Sequence, residues 1–344
     1  MLASSKRGTV QAILSATAVA TAVFYLFPLH TQAGLRAAPP LLTASLSSTV
    51  ATSWVLSNGV SFPTLALNTA GMSAEASERA VLEALASGIR HIDFHPGPER
   101  DGVARAIAAV FPRASVFLTT KINVPAWLAT PEEAAELVTH QLDDDLAALG
   151  VDAVDMLMLR DSPKCDVMQA QWSAMEAALA AKRTRAIGVA NYCEAALRCV
   201  LATAVTKPAV NYFMNHVGMG PDAGGLRHFG ESRGIRTFAY GFVGEPASSQ
   251  ILNSPTLRAI GRAHARSVEQ VALRWVLQGG RAASVRPTAN FGYGCPYSNG
   301  PCKQGLKDRA AVYGWVLTRQ EMRALNNMSA PAGNPTLFSA GCRK

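Results

Sequence analysis

The sequence predicts an α/β protein built as a (β/α)₈ barrel with an N-terminal β-hairpin, and three observations lead there. From Trp54 onward, short apolar runs alternate with helical stretches of roughly 10 to 20 residues, the pattern of parallel βαβ units. Eight such units can be counted in order, the number that closes a sheet on itself. A chain of 344 residues is long enough for one large domain of the barrel kind or two smaller ones, with a sizeable core either way.

The elements follow in order. "NGVSFPTL" reads as a hairpin with Asn58-Gly59 at its turn. Strands are predicted at Thr64 to Leu67, Ile89 to Phe94, Val116 to Lys121, Ala153 to Leu159, Arg185 to Val189, Ala209 to Phe213, Thr237 to Tyr240 and Ala283 to Val285. The helices carry their own punctuation, seen best in "TPEEAAELVTHQLDDDLAALG". There Thr130 caps, Pro131 takes the first helical position, Glu133 completes a capping box and Gly150 stops the helix after Leu149. Leu137, Gln141, Leu142, Leu146 and Leu149 share one side of it, a stripe for core packing.

The ends of the chain read differently. "KRGTVQAILSATAVATAVFYLFPL" sets two basic residues before an uncharged stretch from Val10 to Leu29, close to the roughly 20 apolar residues that span a bilayer. Residues 1–33 are therefore expected to be a signal peptide or a retained membrane anchor. Residues 34–53, rich in Ala, Ser and Thr with no acidic residue before Glu75, form a linker or transit-like segment. The expected destination is a membrane or the secretory pathway, with a plastid reached by a two-part signal as the alternative. The barrel is assigned residues 54–330, and 331–344 are left as a C-terminal tail.

The net charge of +8 is scattered along the chain and forms no basic run, so nucleic-acid binding is not expected, although phosphate-bearing ligands would be attracted. Six cysteines suit an oxidising compartment. Cys295 and Cys302 bracket a turn-rich loop that a disulfide can close. Cys165 and Cys193, which follow the fourth and fifth predicted strands, are a second candidate pair. No cysteine or histidine spacing suggests zinc.

A (β/α)₈ barrel places chemistry at the C-terminal ends of its strands. The residues there are Asn68, Thr69, Asp93, His95, Lys121, Arg160, Asn191, Tyr212 and Tyr240.

With these positions in view, the sequence resembles the aldo-keto reductases from Trp54 to about Met328. The similarity runs in register through "NGVSFPTLALNTAG", "GIRHIDFH", "VFLTTKI", "VDAVDMLML", "RAIGVANY", "PAVNYFMNH", "GIRTFAYG", "VALRWVLQGG" and "LTRQEM". The resemblance implies reduction of a small carbonyl substrate with a nicotinamide cofactor, NADPH or NADH. In that family a Tyr donates a proton to the carbonyl oxygen, a Lys paired with an Asp tunes the Tyr, and a His orients the substrate. Asp93 and Lys121 match the Asp and the Lys. The Tyr position falls on Gly97 or Pro98, which have no proton to give, and the His position falls on Arg160.

The cofactor contacts that the resemblance implies are also altered. The family's Ser-Asn pair reads Ala190-Asn191 and its amide-binding Gln reads Tyr212, while Tyr240 keeps the stacking aromatic and Thr69 its place after the first barrel strand. For the adenosine phosphate, Arg286, Lys303 and Lys307 are candidates within an altered segment after Val285.

Two readings of these departures stand side by side. In one, His95 or water supplies the proton and Arg160, which stays charged at working pH, holds an anionic substrate group or an oxyanion. In the other, Asp93–Lys121 is a relict core ion pair, Arg160 pairs with Asp161 at the surface, and the barrel is a non-catalytic pseudoenzyme binding a ligand or a protein. The oligomeric state is not legible.

Overall fold

The computed structural model describes residues 50–110, 112–244, 248–287 and 305–342. The apolar run Val10 to Leu29, the Cys295/Cys302 loop and Lys303 lie outside the described residues. Among the described residues no helix is long and apolar enough to cross a membrane.

The hairpin is present: β1 (Ser53–Val55) pairs antiparallel with β2 (Ser61–Pro63), and Gly59 takes the left-handed φ of +81° that its turn requires. Phe62 on β2 is fully buried. Its ring meets the rings of His91, Phe117 and Phe238 edge-on at 4.8, 5.3 and 5.3 Å. The hairpin therefore plugs the N-terminal end of the barrel with an aromatic cluster.

Eight parallel strands follow: β3 (Leu65–Asn68), β4 (His91–Asp93), β5 (Phe117–Ile122), β6 (Met156–Arg160), β7 (Ile187–Ala190), β8 (Val210–Met214), β9 (Arg236–Tyr240) and β10 (Ala282–Val285). They close in the order β10-β3-β4-β5-β6-β7-β8-β9. Each lies within three residues of its predicted position. Alternation sorts their side chains. Leu67, Ile92, Leu118, Leu157 and Val189 face outward to the helices, while Ala66, Phe117, Met156, Met158, Tyr212 and Phe238 fill the interior. At Gly188 on β7 an added Cβ would come within 2.7 Å of the Val210 side chain, so that position of the wall admits only a glycine.

The helix Pro131–Leu149 has the predicted cap: Thr130 Oγ1 accepts from the Glu133 amide, and the Glu133 carboxylate accepts from the Thr130 amide. Gly150 ends it at φ +64°. The buried face includes Gln141, Leu142, Leu146 and Leu149 as predicted, with Leu137 only half-buried. Asp145 joins that face, where Thr120 and Arg100 satisfy its carboxylate.

Two expectations are corrected. Cys165 pairs with Cys199 and Cys193 with Cys342, not Cys165 with Cys193. Cys165 opens the helix Cys165–Ala180, and the cysteine opposite it lies on the neighbouring helix Glu194–Leu201. Cys193, which caps that second helix, faces the end of the chain instead. Asp161 does not pair with Arg160. Its carboxylate is buried and accepts from Ser339 Oγ and from the amides of Ala340 and Gly341 at 3.0 and 2.6 Å. The tail thus returns to the barrel, fastened at Asp161 and Cys193 and held again where the Met214 amide donates to Pro335 O at 3.1 Å.

Candidate active site

The floor of the site is set by strand register. Asn68 on β3, Asp93 on β4 and Thr119 on β5 lie side by side, and Lys121 stands two residues above Thr119 on the same inward row. Asp93 and Lys121 are both buried and form an ion pair. Ser284 Oγ on β10 donates to the other carboxylate oxygen at 2.6 Å. Burial alone would raise the Asp93 carboxyl, but Lys121, His95 and Ser284 hold it below its ordinary value. Burial draws the Lys121 ammonium down, against the pull of Asp93.

The loop after β4 carries a second charged unit. Gly97 has φ +92°, and Pro98 begins the helix Pro98–Val110, so neither offers a side chain for proton transfer. One residue on, in the first turn, Glu99 is buried and accepts from the Gly71 amide (2.6 Å), Thr69 Oγ1 (3.2 Å) and both the amide and Nδ1 of His95 (3.0 Å each). Despite burial, which acts the other way, the His95 contacts and the Gly71 amide keep the Glu99 carboxylate ionised. An ionised acceptor at Nδ1 means that neutral His95 carries its hydrogen there and presents a bare Nε2. Burial and Lys121 lower the His95 pKa below its ordinary value of 6.5, outweighing Glu99.

Arg160 ends β6 half-buried, and its side chain has no hydrogen bond or ion pair to another described residue. Burial lowers its pKa, opposed chiefly by Glu99, and a guanidinium so shifted is still charged at neutral pH. Across the barrel, Tyr212 Oη accepts from Asn68 Nδ2 at 2.8 Å, and Lys121 Nζ lies 4.9 Å from the centre of the Tyr212 ring. Tyr240 donates its hydroxyl to Asn191 Oδ1 at 2.7 Å.

These groups surround a cavity of about 480 Å³ at the C-terminal end of the strands, within the size range of small-ligand sites. Of the sequence-predicted residues, Asn68, His95, Lys121, Arg160, Asn191, Tyr212, Tyr240 and Arg286 line it, with Asp93 paired to Lys121 beneath. Thr69 does not line it; its hydroxyl holds Glu99. Lys307 is exposed and outside the lining. The sequence reading missed Glu99, Ser284, Arg309 and Phe338. Glu99 had one signal, its i, i+4 spacing from His95; Phe338 had none, because it reaches the cavity only through the returning tail.

Comparison with known proteins agrees with this geometry. A family model described as Aldo/keto reductase family matches residues 60–290. An NADPH-dependent codeinone reductase of Papaver somniferum is 27% identical over 305 residues, covering 79% of this chain and 88% of that protein. An aldo-keto reductase of Mycolicibacterium smegmatis is 30% identical, covering 79% and 89%. The crystal structure of an aldo/keto reductase from Brucella melitensis superposes with a TM-score of 0.68 at 27% identity, over 80% of this chain and 98% of that one.

Proposed function

The chain belongs to the aldo/keto reductase family, and on that premise we propose that it reduces a small carbonyl compound bearing an anionic group, using a nicotinamide dinucleotide. The observation that carries the proposal is the Asp93–Lys121 pair at the floor of a cavity whose wall holds Arg160 without a carboxylate partner.

The residues present fit the cofactor. Tyr240 lines the cavity with an aromatic ring, Asn191 stands beside it with amide chemistry, and Arg286 and Arg309 add positive charge for phosphates. When bound, the cofactor supplies the hydride. The chain's own residues do the rest. Arg160 holds the anionic group and so fixes which face of the carbonyl is presented. Lys121, kept cationic by Asp93, stabilises negative charge growing on the carbonyl oxygen. His95 exchanges the proton at Nε2, with Glu99 fixing its ring and tautomer. Since neutral His95 has no Nε2 hydrogen to give, reduction draws on its protonated form, and the reverse oxidation on the neutral form.

Calorimetric titration with NADPH and with NADH, followed by turnover on matched carboxylate-bearing and neutral carbonyls, tests this. Binding is expected, and Arg160→Ala should raise KM about tenfold or more for the carboxylate-bearing member alone, the cost of a charged hydrogen bond. No heat at millimolar cofactor and no turnover would sink the proposal. The non-catalytic barrel would then hold, favoured by the bare Gly97-Pro98 step where a tyrosine is needed.

A further inference from the structure

Asn191 is one of four non-glycine residues with left-handed backbone among the described residues, at φ +62°. It sits at the cavity edge with its side chain on Tyr240. Such a conformation persists only where the surroundings over-determine it. Two hydrogen bonds and one covalent tie do so. The Asn191 amide donates to Tyr212 O at 2.7 Å, and its side-chain oxygen accepts from Tyr240. Two residues on, Cys193 is covalently joined to Cys342, and its amide donates to that sulfur at 3.1 Å. The two hydrogen bonds come from the barrel wall, and the covalent tie comes from the C-terminal tail.

The same tail carries Phe338 to the cavity, where its ring centre lies 6.4 Å from that of Tyr240 although the residue is 60% exposed. One disulfide thus sits two residues from Asn191 and anchors the tail that carries Phe338 to Tyr240. The other, Cys165–Cys199, joins two outer helices and touches none of the cavity lining.

We propose that Cys342 is a positioning residue for the cofactor corner: through its bond to Cys193 it holds Asn191 in place and Phe338 over Tyr240, so that cofactor affinity answers to reduction of that bond. The inference rests on the nicotinamide reading above. The chemistry is thiol–disulfide exchange with an external dithiol. One thiolate of the dithiol attacks a sulfur of the Cys193–Cys342 bond, a mixed disulfide forms, and the second thiol displaces the protein sulfur. Two electrons and two protons pass to the protein, leaving two thiols, and the dithiol becomes a disulfide. The tail then keeps its other fastenings, at Asp161 and Pro335 among them, and the segment that follows Asn191 loses its covalent tie to the tail.

The test compares the oxidised full chain, the chain reduced with dithiothreitol, Cys342→Ser and Cys165→Ser. NADPH is titrated by calorimetry, and amide hydrogen exchange is read at residues 189–193 and 238–241. Reduction and Cys342→Ser are each expected to weaken NADPH binding about five- to tenfold, the scale of one released backbone constraint. Exchange at Asn191 should quicken in both. Re-oxidation should restore the wild type, Cys342→Ser should ignore the dithiol, and Cys165→Ser should bind NADPH as the oxidised protein does. Equal affinity and equal exchange in the oxidised and reduced forms would overturn the inference, as would a matching loss in Cys165→Ser. If the oxidised protein binds no nucleotide, the functional reading fails by itself. Exchange at Asn191 then decides the positioning role, and no acceleration on reduction overturns it.

Discussion

His91 and Asp93 stand two residues apart on β4, both fully buried and both facing into the barrel, yet they do different work. His91 lies at the plugged end. Its Nδ1 is 3.0 Å from Pro63 O, its Nε2 is 2.7 Å from Thr119 Oγ1, and the rings of Phe62, Phe117 and Phe238 pack around it. Both ring nitrogens have partners, and His91 lies outside the lining of the cavity. Burial pushes its pKa down to about 4. Asp93 lies at the open end, ionised, with Lys121 between it and the cavity. Depth of burial is the same for the two, so under the proposed function what sets Asp93 apart is a charge held beside open space.

The largest effect should come at the open end. Lys121→Met is expected to lower turnover per folded molecule by about 10² to 10⁴, the usual cost of losing a charge-stabilising or proton-handling group. Steady-state rates normalised to native protein by circular dichroism check this; a rate within a factor of about two of wild type would erase the distinction between the two ends.

At the plugged end the effect should be on stability. His91 stays neutral in the fold down to about pH 4, as does buried His216, whose pKa is also about 4, whereas both protonate near 6.5 when unfolded. The unfolded state then binds more protons throughout that window, so stability falls as pH drops from about 6.5 toward 4, by up to about 3 kcal/mol for each histidine. Urea midpoints at neutral pH and at several acid values measure it. In His91→Leu the slope of stability against pH should be shallower by about half, and an unchanged slope would refute the assignment.

The smallest expected effect distinguishes two histidines on one strand and its loop. His95 should impose a limb on the pH–rate profile of reduction, with the rate rising as pH falls toward its lowered pKa, because only the protonated form has a hydrogen at Nε2. His95→Ala should flatten that limb, changing the rate several-fold at acid pH and little above neutrality. A limb that survives the substitution assigns the proton to another group.

Much of this was readable from the residues. Strand ends follow from apolar runs, and these put Asp93 and Lys121 at the ends of neighbouring strands, so their floor was within reach. His95 would share the Asp93 face by a period of two only if the strand ran on, and β4 stops at Asp93. The helix from Pro131 was legible to its caps because capping chemistry is local. Glu99 was harder to see, since its four donors come from two separate loops, one after β3 and one after β4, that only the folded chain brings together. The cysteine pairing failed for a related reason: strand adjacency places two loops near each other but does not say which helix face meets which. Phe338 and the Asp161 fastening depend on a tail path that no periodicity records.

The Cys193–Cys342 bond has a mechanical side as well. It spans a sequence separation of 149 residues and encloses β8, β9 and β10 in a covalent ring. Tension applied between the two termini would pass from Cys193 straight to Cys342 and bypass that ring. The load would fall on the chain through β3 to β7, while about 500 Å of contour stays slack until the bond is cut.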